Sequence, residues 1–305
     1  MGTWELVDLP EGRWAVGNWW VLLKKYLKTG ELDKYKARLI AKGYSQIPGM
    51  DFSQTFSPVV HLETICMILA LAVNFNWELM LMDVKGAYLN GNLEEEVYML
   101  QPDGFGDGTN KVCHLIKTLY GLKQAGQEWN KVLDTCLKGK GFKNLGANPC
   151  AYIWKTDGLI DIIAAWVDDL LLFLDTTQMM NKLKAELKTL FDVTDLGSPQ
   201  KIIRIEIDHN RTKGQLKISQ TQYIDHLLEK YNMTNCNPVA TPMDPSVNLD
   251  NVEELPEDSP IWELYHTLIG ELMYLSIATR WLWIEGECWA YTAQRPASIH
   301  CSVNI

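Results

Sequence analysis

The chain has 305 residues, 47% of them apolar and 22% charged, with a formal net charge of −10. That length can bury one large core or two ordinary ones, and the composition excludes a disordered or fibrous chain. Apolar runs such as residues 69–73 and 170–174 fall far short of the ~20 residues that a membrane span requires.

No apolar leader follows Met1, so no secretory signal is expected. The seven cysteines are scattered without a C-x-x-C pair, which argues against a structural zinc site or disulfide frame and suggests a reducing compartment. The acidic balance looks wrong for a nucleic-acid binder, but the cations are unevenly placed. Lys24, Lys25, Lys28, Lys34, Lys36, Arg38 and Lys42 crowd one stretch; a second basic region runs from Lys111 to Lys143. Either is a solvated face or a track for phosphates.

In chain order, residues 19–27 are bulky and apolar, residues 28–31 read as a turn, and residues 35–44 return as a second strand of a hairpin. Pro58 makes its surroundings extended. The spacing of Leu62, Ile65, Leu69 and Ala72 predicts a helix over 62–74. Residues 77–84 read as a strand, 94–100 as a short strand, and 125–138 as a helix. Strands are expected over 151–154, 160–167 and 170–174, then an amphipathic helix over 178–191. A hairpin over 201–208 and 215–219 precedes a helix over 221–231. Residues 238–260 hold five prolines and many acids and read as a linker. A helix over 262–278 follows. Helices and strands mix without strict alternation, which predicts an α+β fold with an antiparallel sheet.

The run AAWVDDLLLF, residues 164–173, places two adjacent acids between apolar flanks. Buried charge is costly unless it is paired or binds metal. Adjacent strand residues face opposite ways, so both acids can serve one site only at a turn. Asp83 ends another apolar strand. If the two strands are neighbours, three carboxylates meet at one sheet edge, a donor set suited to Mg²⁺. The alternative is a solvated hairpin with acidic tips.

The chain resembles the reverse transcriptase of copia-type LTR retrotransposons. The resemblance rests on YKARLIAKGYSQ (35–46), DFSQTFSPVV (51–60), DVKGAYLNG (83–91), QPDGF (101–105), LYGLKQA (119–125), WVDD (166–169), with Trp where Tyr is usual, TPM (241–243) and the segment 270–280. It implies a right-hand polymerase fold: fingers and palm over 1–237, a linker over 238–260, and the start of a thumb or connection helix over 261–280. It implies an RNA-directed DNA polymerase that joins dNTPs to a primer 3′-OH with two Mg²⁺ ions, Mn²⁺ substituting. Asp83, Asp168 and Asp169 would be catalytic and metal-binding, with the Val84 carbonyl as a further ligand. Tyr88 would exclude a ribose 2′-OH, or be a core tyrosine. Gln124 would line the nucleotide pocket; Lys36, Arg38 and Lys42 would face triphosphate or template. The expected partners are an RNA or DNA template–primer and dNTPs, with no membrane and without the integrase and RNase H of the element. The expected location is cytoplasmic particles, or the nucleus.

Three residues depart from the family pattern. Cys66 and Gln127 stand at usual arginines, and Arg204 at a usual glycine, where it should strain a hairpin. Residues 281–305 read as foreign text after a frameshift or misjoined exon at Arg280. The second reading is therefore a decayed relic without polymerase activity, at most a nucleic-acid binder.

Overall fold

The computed structural model describes residues 2–26, 29–156, 158–237, 256, 259, 261–279 and 298–302. Its elements run β1 (Trp4–Val7), β2 (Ala15–Val16), β3 (Asn18–Tyr26), β4 (Leu32–Ala41), α1 (Leu62–Asn74), β5 (Glu78–Val84), β6 (Tyr98–Met99), β7 (Val112–Leu115), α2 (Ala125–Gly139), β8 (Lys143–Leu145), β9 (Asn148–Thr156), β10 (Leu159–Trp166), β11 (Asp169–Leu174), α3 (Thr177–Leu190), β12 (Val193–Gly197), β13 (Lys201–Ile202), β14 (Ile205–Asn210), β15 (Gln215–Ser219), α4 (Thr221–Lys230), α5 (Ile261–Thr279) and β16 (Ser298–Ser302). The fold is mixed α/β. The linker expected over 238–260 lies almost wholly outside the described residues, as does most of 281–305.

The chain forms two compact units. The first takes Met1–His61 with Met80–Gly197. Its centre is a six-stranded sheet in the order β12-β5-β11-β10-β9-β8. The middle strands are buried on both faces, which explains their near-continuous apolar sequence rather than an alternating one. One face carries Met82, Val84, Ile163, Ala165, Leu170, Leu172 and Leu174 into a core with Trp129, Leu133 and Leu137 of α2 and Met180, Leu183 and Leu187 of α3. α3 starts where the Thr176 side chain accepts from the Met179 N–H at 3.2 Å, a helix cap of the usual kind.

A second sheet of this unit runs β1-β7-β6-β2 over a core containing Val16, Leu39, Ala41, Val97, Met99, Leu115 and Leu122. β3 and β4 form a separate two-stranded hairpin, from Asn18 against Ala41 to Tyr26 against Leu32.

The second unit takes Leu62–Leu79 with the described residues from 198 onward. Its sheet runs β13-β14-β15-β16, with α1 lying against β15. α4 and α5 meet through the Lys230–Glu271 ion pair at 2.8 Å and an edge-to-face contact of Tyr223 with Tyr274. The sequence reads residues 201–208 as one strand; the chain instead turns back within it. β13 and β14 are joined by a two-residue tip, Ile203 at φ +48° and Arg204 at φ +62°. No glycine or asparagine signals that turn, so the sequence hides it.

Candidate active site

The acids at 168 and 169 sit at the end of the β10–β11 hairpin. Trp166 pairs with Asp169, leaving Val167 and Asp168 as a two-residue tip. Val167 takes φ +55°, and its carbonyl accepts the Trp129 indole N–H at 2.6 Å. β5 is the next strand of the same sheet. Its Val84 N–H donates to the Asp168 carbonyl at 2.8 Å. Met82 and Val84 face the α2–α3 core, as do Leu170 and Leu172. Side chains alternate along a strand, so Asp83 and Asp169 both stand on the opposite face. The expected convergence of two strands therefore occurs, with all three carboxylates half-buried at one edge of the sheet.

Their closeness has an electrostatic signature. Burial first, then the charges of Asp168 and Asp83, push the Asp169 carboxyl up to about 6. An uncompensated acidic cluster behaves in this way. Among the described residues, no three His, Cys, Asp or Glu side chains close into a ready-made metal cage. The donor chemistry nevertheless fits a hard divalent cation: these are oxygen donors, and such an ion commonly keeps waters and takes further oxygens from a phosphate substrate.

Cations face this edge from the β3–β4 hairpin. Lys36 and Arg38 alternate onto one face of β4, opposite Leu23 and Val21. Burial, then Arg38 and Lys25, hold the Lys36 ammonium below its ordinary value, while Asp83 and Asp168 pull it upward. Lys36 therefore lies within electrostatic reach of the acids. The Arg38 guanidinium lies over the Tyr120 ring, 5.2 Å from its centroid. Tyr120 in turn packs on Tyr88, with centroids 4.7 Å apart. Burial and then Asp168 raise both phenols, so both rings stand near that carboxylate. Tyr88 is half-buried in a short 3-10 turn, Ala87–Asn90. It borders two apolar cores rather than lying inside either.

Two further expected site residues have partners of their own. The Gln124 side chain is fully buried. Its amide oxygen accepts from Gln46 Nε2 at 3.0 Å and its nitrogen donates to the Asp51 carbonyl at 2.8 Å. Gln46 also accepts from the Lys123 N–H at 2.8 Å. Gln124 thus locks a loop junction, with both ends of its amide bonded inside the protein. Lys42 directs its ammonium over the Trp19 ring at 5.8 Å. Of the three departures, Cys66 is buried in α1, and Gln127 donates to the Gln54 side chain at 3.2 Å. Arg204 stands at a turn tip with its guanidinium 5.9 Å from the Tyr223 ring centroid.

Tyr120 and Trp129 escape a reading of the sequence alone. Tyr120 lies inside a quoted motif, but only the fold brings its ring to Arg38 and Tyr88. Trp129 reads as an ordinary helix residue until its indole reaches the hairpin tip.

Among the described residues, no helix is long and apolar enough to cross a membrane. Residues 1–245 match the family model described as reverse transcriptase (RNA-dependent DNA polymerase). The chain is 38% identical over 288 residues to the retrovirus-related Pol polyprotein from transposon TNT 1-94 of Nicotiana tabacum, covering 92% of this chain and 22% of that protein. It is 37% identical over 277 residues to the Pol polyprotein from transposon RE1 of Arabidopsis thaliana, covering 90% and 19%. It is 31% identical over 198 residues to the putative transposon Ty5-1 protein of Saccharomyces cerevisiae, covering 63% and 62%. The chain spans about a fifth of the length of the two plant polyproteins. The chain belongs to the reverse transcriptase family and is homologous to the Pol polyproteins of plant copia-type transposons.

Proposed function

We propose that the chain is the RNA-directed DNA polymerase domain of a copia-type element, with residues 1–237 as fingers and palm and 261–280 as the start of a thumb or connection helix. It extends a primer on an RNA or DNA template. The primer 3′-oxygen forms a bond to the α-phosphorus of a dNTP, and the bond to pyrophosphate breaks. Asp83, Asp168, Asp169 and the Val84 carbonyl would hold two Mg²⁺ ions. Bound there, Mg²⁺ supplies charge neutralisation to the triphosphate and activates the attacking oxygen. Lys36 and Arg38 attract and orient the triphosphate, and Tyr88 stands where a ribose 2′-OH would clash. Gln124 acts from behind by fixing the loop that carries Tyr120. The observation that carries this reading is the meeting of Asp83, Asp168 and Asp169 at one sheet edge, with Lys36 within electrostatic reach.

The test is primer extension by the full chain on a homopolymer template with Mg²⁺, beside an Asp168→Asn variant. Extension by the unaltered chain and none by the variant is expected; no extension by either overturns the enzyme reading.

The second reading, a relic that binds nucleic acid without polymerising, draws on Arg204. Its left-handed φ of +62° is a conformation that costs an L-residue about 1–2 kcal/mol. Template–primer binding that weakens steeply with salt, without extension, would select it.

A further inference from the structure

Tyr120 holds none of the roles assigned above, yet it touches two residues that do. Its ring lies 4.7 Å from that of Tyr88, tilted by 57°. The Arg38 guanidinium lies 5.2 Å from its centroid. A half-buried ring thus joins Tyr88 and Arg38.

The backbone around Tyr120 is held on both sides. Its carbonyl accepts the Ala41 N–H at 2.8 Å. Gly121 follows at φ +93°, where a Cβ would stand 2.1 Å from the Ala41 carbonyl oxygen. A Cβ on Gly43 would stand 1.9 Å from the Gly121 oxygen. Only glycine permits such an approach of backbone to backbone. Two residues earlier, the Thr118 hydroxyl donates to the Tyr88 carbonyl, and the Thr118 N–H donates to the Gly91 carbonyl at 3.0 Å. The segment is therefore tied both to the end of β4 and to the turn that carries Tyr88.

We propose that Tyr120 is a positioning residue for substrate selection, bracing Tyr88 against a ribose 2′-OH and holding Arg38 at the triphosphate. The inference rests on reading this site as a dNTP site. A ring rejects a hydroxyl by clash only if it cannot turn aside, and a tilted aromatic partner restrains it. A guanidinium seated on an aromatic face keeps its N–H groups free to point outward toward phosphate. Burial and Asp168 raise both phenols, in keeping with two rings placed together beside the acids.

Three variants separate the parts. Tyr120→Phe keeps the ring and should keep the ratio of kcat/KM for dNTP over rNTP. Tyr120→Ala should lower that ratio about tenfold, the scale of a lost packing contact in a pocket. Tyr120→Leu fills space without a π face, and should raise the dNTP KM more than it lowers kcat. Equilibrium binding of dNTP and rNTP to the full chain, without primer, gives a second readout and should show the same loss of preference in Tyr120→Ala. An unchanged ratio and unchanged preference in Tyr120→Ala, with circular dichroism showing it folded, overturn the proposal alone. A Tyr120→Phe variant as impaired as Tyr120→Ala also overturns it. If the unaltered chain neither extends a primer nor binds dNTP, the reading of the site itself fails first.

Discussion

The main-chain N–H of Val84 donates to the carbonyl of Asp168 at 2.8 Å. That bond ties the strand carrying Asp83 to the hairpin tip carrying Asp168, so the two carboxylates are positioned by backbone rather than by flexible side-chain contacts. The tip is held from behind by the Trp129 indole on the Val167 carbonyl.

The tip stores strain at Val167, whose φ of +55° is a rare conformation for a β-branched residue. Val167→Gly should raise stability in urea melts by about 0.5–1 kcal/mol, the relief of strain outweighing the added freedom of the unfolded chain. Primer extension should fall in the same variant, because the tip then places Asp168 less sharply. A destabilised Val167→Gly would show that the valine side chain, not the backbone, dominates there.

Arg204 offers the same test at a second hairpin tip. Both residues of its two-residue tip have positive φ, the geometry that favours Asn-Gly. Arg204→Gly should gain about 1 kcal/mol, less whatever the contact with Tyr223 contributes. The thermal midpoint should rise measurably; no rise would mean that the cation–π contact matches the strain.

Gln124→Leu should cost about 2 kcal/mol, since it leaves the Gln46 amide and the Asp51 carbonyl buried without partners. In the folded fraction, dNTP binding should change little. A variant with native stability and weakened dNTP binding would place Gln124 in the pocket lining.

Asp161 gives a pH prediction independent of the site. It is buried in β10 with one carboxylate oxygen lacking a hydrogen-bond partner. Burial, against a backbone hydrogen bond from Asp175 and with that residue's charge adding to the rise, pushes it from 3.8 up to about 6. Between those values the folded chain holds a proton that the unfolded chain has lost. This carboxyl therefore makes stability fall as pH rises through that window, on the order of 3 kcal/mol, and contributes no slope above it. Asp161→Asn should flatten that part of the stability–pH curve. An identical slope in both proteins would mean that the carboxyl is solvated.

The hairpin of acids was legible because its flanks are apolar on both sides, and the sequence bounds of α1 are those of the structure. Residues 19–27 and 35–44 were legible as a hairpin for the turn between them. The two-residue strand β2 was not, because it pairs with a distant partner, Ala15 opposite Tyr98, rather than following any local period; β6 and β13 fall inside the strands expected over 94–100 and 201–208. β12 was missed for a similar reason: it is set by pairing with β5, Thr194 opposite Asp83. The partners of Gln124 were not legible, because Gln46 and Asp51 lie more than seventy positions upstream.

Gly43 and Gly121 sit where two stretches of main chain touch, with no room for even a methyl group on either. Neither glycine contacts a substrate in any reading of the site. Yet a change of either to any other residue would part the β3–β4 hairpin from the loop bearing Tyr120 while leaving every acid in place. In a population of such elements, these two positions are a gauge of wear: a copy can keep Asp83, Asp168 and Asp169 and already be broken at this seam, and this copy is whole there.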